Sequence, residues 1–404
     1  MRLRHLVLAA LLPACLLAPA ARAEVTLQYL GQQIVPSGAQ AFGTRVGGLS
    51  GLDYDSGTSR YWAISDDRSQ VNPARFYNLS LDLAKFSRAP APGFAGVKFN
   101  SVTTLLRPDG TAFPLNQVDA EAIRIRGGNL LWTSEGQRLP GDLQNPLVRE
   151  MRTDGQFIRE LPTPARYNPA EVPTPRGVAN SFGFESLAFD ASGKRLYTAV
   201  ENALVQDGPL ATAAAGSPAR VLALDPVSGS ALAEYVYVTE RVTLAPTPPD
   251  ALALTGLVEI LALTDREFLA LEKTFAVGAG HAIKLFRFSL DGATDVLGLG
   301  SLAGASYQPV AKTLLLDFAT LTNDDGSPVT IDNLEGMTFG PEREGRRTLV
   351  LVSDDNFSSR QATQFLAFEV IEPVPEPSSY ALLLAGAALL VLAAAVLRRR
   401  AARG

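Results

Sequence analysis

The chain has 404 residues, a net charge of −5, two histidines and one cysteine, and 47% of its residues are hydrophobic. The hydrophobic content predicts a folded core, and the acidic balance argues against a nucleic-acid partner, because phosphate binding needs clustered Lys and Arg. The cysteine and one histidine lie within the first 20 residues, so His281 is the imidazole left to a mature domain. Carboxylates, hydroxyls, amides, Lys and Arg must carry any chemistry.

The first 23 residues have the pattern of a secretory signal peptide. Arg2 and Arg4 form a basic start, residues 6–17 are an apolar run, and Ala21 and Ala23 have the spacing of a cleavage site. We therefore expect the domain that follows to be exported.

The C-terminal residues carry a second signal. An uncharged run over residues 380–397 spans about 27 Å as a helix, enough for a bilayer core, and three arginines follow it. By the positive-inside rule those arginines stay in the cytoplasm and the main domain lies outside. Before the run stands a short motif: Val374, Pro375, Glu376 and Pro377.

Motif, apolar span and basic end, in that order, resemble the PEP-CTERM sorting signal of Gram-negative bacteria. The resemblance implies export through the inner membrane, anchoring by the C-terminal transmembrane helix, and then processing by an exosortase-type enzyme. The destination it implies is the cell surface or the extracellular matrix. We divide the chain into a signal peptide (1–23), a main domain (24–372) and a sorting tail (373–404). The main domain has a net charge of −11 and no cysteine.

Five segments of the main domain share one pattern. Each has a glycine-containing turn, a short apolar strand with a small or acidic residue inside it, and a second apolar strand that ends in an acid. The first strands lie at 47–54, 118–124, 183–189, 256–262 and 333–339, and the terminal acids are Asp66, Glu135, Glu201, Glu272 and Asp354. Such a repeat of about 70 residues is typical of a propeller.

Further alternating runs follow each pair, so each unit predicts four half-buried strands. The fold class we expect is an all-β propeller of five four-stranded blades. The fifth unit lacks a clear fourth strand, and residues 25–30 could supply it and close the ring. Six blades are the alternative, because residues 311–318 form a strand that the five-blade count leaves unassigned.

Four of the first strands carry a glutamate near the same point: Glu121, Glu185, Glu259 and Glu335. First strands line the channel of a propeller, and converging carboxylates repel one another unless cations or water neutralise them. Acidic oxygen ligands suit Ca²⁺, whereas transition metals prefer His or Cys. We take these four as candidate metal ligands. The alternative is that they only hydrogen-bond neighbouring blades.

The second-strand acids favour a structural role, as caps of the turns that follow them. Four cations come shortly after these strands and are candidates for binding an anionic substrate: Arg68, Arg138, Lys273 and Arg360. The alternative for them is pairing with the adjacent acids. No G-x-S-x-G motif is present, and a Ser–His–acid triad would depend on His281 alone, so nucleophilic catalysis is poorly supported.

The repeats also resemble a family. The stretches at 47–53, 62–68, 183–189, 197–202 and 333–337 are similar to the phytase-like, or "esterase-like activity of phytase", domain of secreted bacterial proteins. The resemblance implies a propeller and hydrolysis of phosphate or other esters, and Ca²⁺ as in the β-propeller phytases. The chain has no cluster of Lys and Arg for six phosphates, which argues against phytate itself.

We therefore expect an exported, cell-surface hydrolase of a small-molecule ester, dependent on Ca²⁺. Two alternatives stay open: a non-catalytic propeller that binds matrix polysaccharide or another ligand, and a lactonase-like propeller with one channel-bound Ca²⁺. The sequence leaves open whether the chain is catalytic.

Overall fold

The computed structural model describes residues 25–371 together with residues 386, 387 and 390. The predicted signal peptide lies outside the described residues, and so do all but three residues of the predicted transmembrane helix 380–397. Among the residues that are described, none belongs to a helix long and apolar enough to cross a membrane.

The described part of the main domain consists of strands, the turns and loops that connect them, and single turns of 3₁₀ helix. It begins with strand β1 (Thr26–Val35) and a small hairpin of β2 (Gln40–Ala41) and β3 (Thr44–Arg45). Blade 1 contains β4 (Leu49–Asp55), β5 (Arg60–Ser65), β6 (Arg75–Leu81) and β7 (Val97–Thr104). Blade 2 contains β8 (Ala120–Arg126), β9 (Asn129–Ser134), β12 (Leu147–Arg152) and β13 (Phe157–Leu161), with a small hairpin of β10 (Gln137–Leu139) and β11 (Asp142–Gln144) inserted.

The remaining blades follow in chain order. Blade 3 contains β14 (Phe184–Phe189), β15 (Leu196–Val200), β16 (Pro218–Leu224) and β17 (Ala231–Val238). Blade 4 contains β18 (Ala253–Ala262), β19 (Glu267–Ala276), β20 (Gly280–Ser289) and β21 (Ala311–Asp317). Blade 5 contains β22 (Asn333–Arg343), β23 (Arg346–Asp354) and β24 (Thr363–Ile371). The 3₁₀ turns are Leu83–Lys85, Ala165–Tyr167 and Phe318–Thr320.

The ring is closed by the N-terminal strand. Strand β1 pairs with β24 and supplies the outer strand of blade 5, as the sequence predicts. The described residues thus form five four-stranded blades, and the five-bladed propeller is confirmed. The alternative of six blades is wrong, because Ala311–Asp317 pairs with β20 as the outer strand of blade 4.

The core lies between the blades. Each inner strand contacts the inner strands of its two neighbours in the ring, and Val, Leu and aromatic side chains fill the space between adjacent sheets. The connections between strands range from tight turns to loops of about 20 residues, such as the one between β20 and β21. The turn between β8 and β9 is a two-residue loop, Gly127 and Gly128, both with positive φ (58° and 82°), as the hairpin turn that fits the twist of two strands requires.

Candidate functional site

A cavity of about 1110 Å³ opens where the inner strands begin and the second strands end, and residues from all five blades line it. Its wall is acidic. We call the following eight lining carboxylates the acid ring: Asp66, Asp119, Glu121, Glu135, Glu185, Glu201, Glu335 and Asp354.

A β-bulge in each inner strand orients the first set of side chains. The strand pairing skips at the same place in every blade, and the skipped residues are Ser50, Glu121 with Ala122, Glu185, Val258 and Glu335. An extra residue in a bulge is released from the ladder and its side chain is re-aimed. The three predicted ligands Glu121, Glu185 and Glu335 therefore line one cavity.

The fourth predicted ligand, Glu259, lies elsewhere. It follows the bulge residue Val258 by one position, and one residue along a strand turns a side chain to the opposite face. Its carboxylate instead accepts a hydrogen bond of 2.8 Å from Arg124, and both side chains are buried. Arg124 also donates to the backbone oxygen of Leu52 and approaches that of Met337, so this pair joins four blades across the axis.

The second set of acids follows the ends of the second strands. Asp66, Glu135 and Glu201 each donate a backbone N–H to the residue that precedes the inner strand, and in blade 5 Asp354 pairs with Asn333, the first residue of the inner strand. In blade 4 this position belongs to Lys273, which pairs with Gly256. The predicted terminal acid of that blade, Glu272, lies one residue earlier, where it accepts hydrogen bonds from Tyr237 and Lys312.

The acid ring contains two groups of three carboxylates that share one member. Oxygens of Asp119, Glu121 and Glu135 lie within 4.8 Å of one another, and so do oxygens of Glu135, Glu185 and Glu201. Two ligands on opposite sides of a Ca²⁺ ion, each 2.3–2.6 Å from it, are about 4.6 to 5.2 Å apart. Both groups therefore fit around an ion of this size, with Glu135 between them.

An unpaired amide oxygen also fits a cation. The side chain of Asn333 is buried and lines the cavity, and its Nδ2 donates to Glu335 (2.9 Å) and Asp354 (3.2 Å). Its Oδ1 accepts no hydrogen bond from the described residues. A buried carbonyl oxygen without a partner is costly, and neutral carbonyls are common Ca²⁺ ligands.

Burial raises the pKa values of seven carboxyl groups in the acid ring. It lifts the pKa of Glu135 to about 8, reinforced by the charge of Glu121, and that of Glu201 to about 7. Burial and neighbouring carboxylates also hold the pKa values of other members well above their ordinary values: Asp66, Asp119, Glu121, Glu185 and Asp354. Without bound cations the ring therefore keeps protons that exposed carboxylates release.

The four predicted substrate-binding cations have different surroundings. Arg68 lines the cavity but contacts Asp119 at 3.5 Å and Gln137. Lys273 lines it and pairs with Glu335; burial lowers its pKa, but the carboxylates of Glu335 and Glu201 outweigh burial and raise it. Arg360 is exposed on the rim, with no ion pair to a described residue. Arg138 is not among the lining residues and binds Glu171 at 3.0 Å.

Asp119 and Asn333 belong to the site although the sequence analysis did not select them. Both occupy the position that faces the acid-ring residue of the second strand (Lys273 in blade 4), where blades 1, 3 and 4 have glycine. The sequence did contain a sign of their role, because these two repeats have a polar residue where the other three have glycine. Turn capping, predicted for the second-strand acids, falls mainly to the residues after them: Asp67 and Asp355 accept backbone N–H bonds from the loops that follow.

Fold and site together define a five-bladed propeller with a carboxylate-lined channel mouth. Residues 44–357 match the model of the phytase-like family, described as "esterase-like activity of phytase", and the chain belongs to this family. Residues 373–400 match the PEP-CTERM protein-sorting motif, which supports the predicted processing by an exosortase.

Solved structures offer more distant likenesses. One is a putative glycoside hydrolase from Parabacteroides distasonis, with 8% identity and a TM-score of 0.43 over 88% of this chain and 96% of the other. Another is the periplasmic gluconolactonase of Pseudomonas aeruginosa, with 13% identity and a TM-score of 0.34 over 87% and 100%. Likenesses at this level assign no activity. The comparison with curated proteins finds no match.

Proposed function

We propose that the chain is an exported ester hydrolase whose acid ring holds two divalent cations, with Ca²⁺ as the expected ion. The observation that carries the proposal is the pair of three-carboxylate groups that share Glu135. Membership of the phytase-like family agrees with hydrolysis of phosphate or other esters.

Each group of three carboxylates would hold one of the two ions. Asp119, Glu121 and Glu135 would hold one ion, and Glu135, Glu185 and Glu201 the other. A divalent cation supplies a Lewis acid that polarises an ester oxygen and lowers the pKa of a water molecule.

Lys273 and Glu335 lie on the other side of the ring. The Lys273 ammonium has three donors and gives one to Glu335, so it can also bind an anionic oxygen of the substrate. The rim guanidinium of Arg360 is free to orient the same substrate at the cavity mouth.

The test is hydrolysis by the purified full-length chain. We expect turnover of 4-nitrophenyl phosphate or 4-nitrophenyl acetate that disappears with EDTA and returns with Ca²⁺. Glu135→Gln should lower kcat/KM at least 100-fold. The matched control is Glu342→Gln, because Glu342 is exposed and outside the cavity.

Turnover that survives chelation, or Glu135→Gln at wild-type activity, would refute the two-cation mechanism. Absence of turnover on both substrates would refute the hydrolase and leave the non-catalytic binding propeller.

We also propose that the mature protein resides at the cell surface or in the extracellular matrix, released from a membrane-anchored precursor by an exosortase. The sorting motif at residues 373–400 supports this. Cell fractionation with antibodies against the propeller tests it. Replacing Val374, Pro375, Glu376 and Pro377 with alanines should leave an unprocessed precursor in the membrane fraction; normal processing of that variant would contradict the proposal.

A further inference from the structure

Blade 4 differs from the other blades at the cavity. In blades 1, 2 and 3 the second strand ends just before the acid-ring residue, and in blade 5 it ends at that residue. In blade 4 the pairing of β18 with β19 continues for three residues past Lys273. This extension raises a wall on one side of the cavity mouth.

The wall carries a row of apolar and aromatic side chains. Leu254 is opposite Phe275, and Phe275 is opposite His281, so one row crosses β18, β19 and β20. Residues directly opposite each other share a face of the sheet, and all three line the cavity. The rings of Phe275 and His281 have centroids 5.1 Å apart and an interplanar angle of 39°. We call these three residues the platform.

The platform has one ammonium next to it. Lys273 lies two residues before Phe275 on β19 and therefore on the same face of the strand. Burial, and the charge of Lys273, lower the pKa of His281, so its ring is neutral at pH 7. The register position that is acidic in blades 2, 3 and 5 is Val258 here. The wall thus combines an apolar surface with a single positive charge, and that charge lies beside Glu335 and Glu201 of the acid ring.

The apolar row and the ammonium of Lys273 lie close enough together to contact two parts of one small molecule. We propose that the substrate is an ester with one anionic group and a ring, the ring lying on the platform and the anionic group directed at Lys273. The inference rests on the proposed function, because the cations held by the acid ring would face the same ester. A polyphosphate does not suit the cavity, since Arg68 contacts Asp119 and Lys273 shares its donors between Glu335 and the substrate, which leaves too few lining cations for several phosphates.

The experiment measures binding rather than turnover. Titration calorimetry on the full-length chain in Ca²⁺ compares phenylphosphonate with methylphosphonate, two non-hydrolysable probes that differ in the ring. We expect the phenyl compound to bind about five- to tenfold more tightly, the order of effect that aromatic contacts supply.

Substitutions test whether the preference for phenylphosphonate depends on Phe275. Phe275→Ala should reduce the phenyl-to-methyl ratio to about one, and Phe275→Leu, which keeps an apolar side chain and so guards against misfolding, should give an intermediate ratio. Phe94→Ala is the control, because Phe94 is 53% exposed and lies outside the cavity. Lys273→Met should weaken both probes alike and leave the ratio unchanged.

Three results would refute the proposed role of the platform. They are equal binding of the two probes by the wild type, binding of neither probe, and an unchanged phenyl-to-methyl ratio in folded Phe275→Ala. Unchanged affinities in Lys273→Met would overturn the anionic contact. Selective phenyl binding without any ester hydrolysis would sustain this inference and refute the proposed function, whereas hydrolysis without ring selectivity would do the reverse.

Discussion

Replacing Glu135 with glutamine removes the carboxylate that both three-membered groups of the acid ring share. In the metal-free protein this change relieves repulsion among buried acids, and in the presence of Ca²⁺ it removes a ligand. The substitution should therefore stabilise the protein in one condition and destabilise it in the other. A carboxylate with only a structural hydrogen-bonding role would not give this inversion.

The magnitude follows from the pKa of Glu135, which burial raises from 4.5 to about 8. The native state binds this proton more tightly than the unfolded chain, so its stabilising effect is complete below pH 4.5 and is lost as the pH rises towards 8. Between pH 5 and pH 8 the metal-free wild type should lose roughly 3 to 4 kcal/mol through this group. For a domain of this size that is about 5 °C in Tm.

Thermal unfolding at pH 5 and pH 8, with EDTA and with Ca²⁺, measures the effect. With EDTA, Glu135→Gln should match the wild type at pH 5 and exceed its Tm by about 5 °C at pH 8. With Ca²⁺ at pH 8 the wild type should be the more stable, because an ion that binds only the native state raises stability. Glu342→Gln should follow the wild type throughout. If Glu135→Gln shows the same Tm difference from wild type in all four conditions, the reasoning is refuted.

Two further pairs of substitutions test a contact of the acid ring and the buried pair of Arg124 and Glu259. Gly256→Ala should cost about 3 kcal/mol, seen as a lower Tm, because a Cβ there would collide with the carboxylate of Glu201; Gly300→Ala, with open space around it, should be neutral. Arg124→Met should cost about 3 to 5 kcal/mol by leaving the buried Glu259 carboxylate unpaired, and adding Glu259→Met should restore most of it. A single Arg124→Met variant as stable as the double variant would show that the pair is not coupled.

The repeat allowed much of the fold to be predicted. Blade number, strand number and the use of residues 25–30 to close the ring followed from a pattern of apolar strands and turns that recurs every 70 residues or so. Such patterns carry this information because strand alternation and glycine turns are local properties of the chain. The strand at Ala311–Asp317 was harder to place, since only its pairing with β20 shows which blade it completes.

The sequence predicted which glutamate of the inner strand lines the cavity in blades 2, 3 and 5, but not in blade 4. A carboxylate two residues after the glycine or its equivalent lines the cavity, as Glu185 does after Gly183. In blade 4 the residue two after Gly256 is Val258, and Glu259 comes one later. The bulge residue is left out of the strand pairing, and in blades 2, 3 and 5 its side chain faces the cavity. A side chain one position later faces the interior of the propeller instead. Counting from the glycine would have shown it; residue type alone could not.

Closure of the ring by β1 and β24 has a consequence for folding. These strands are the first and last of the propeller in sequence, so blade 5 cannot be completed until the whole domain has been synthesised. Contacts between such distant segments form late, because the loop between them must first be ordered. Until then β24 presents an unpaired edge, to which a second molecule can add a strand. Pairing of β1 (Thr26–Val35) with β24 is therefore the last step in the assembly of the propeller.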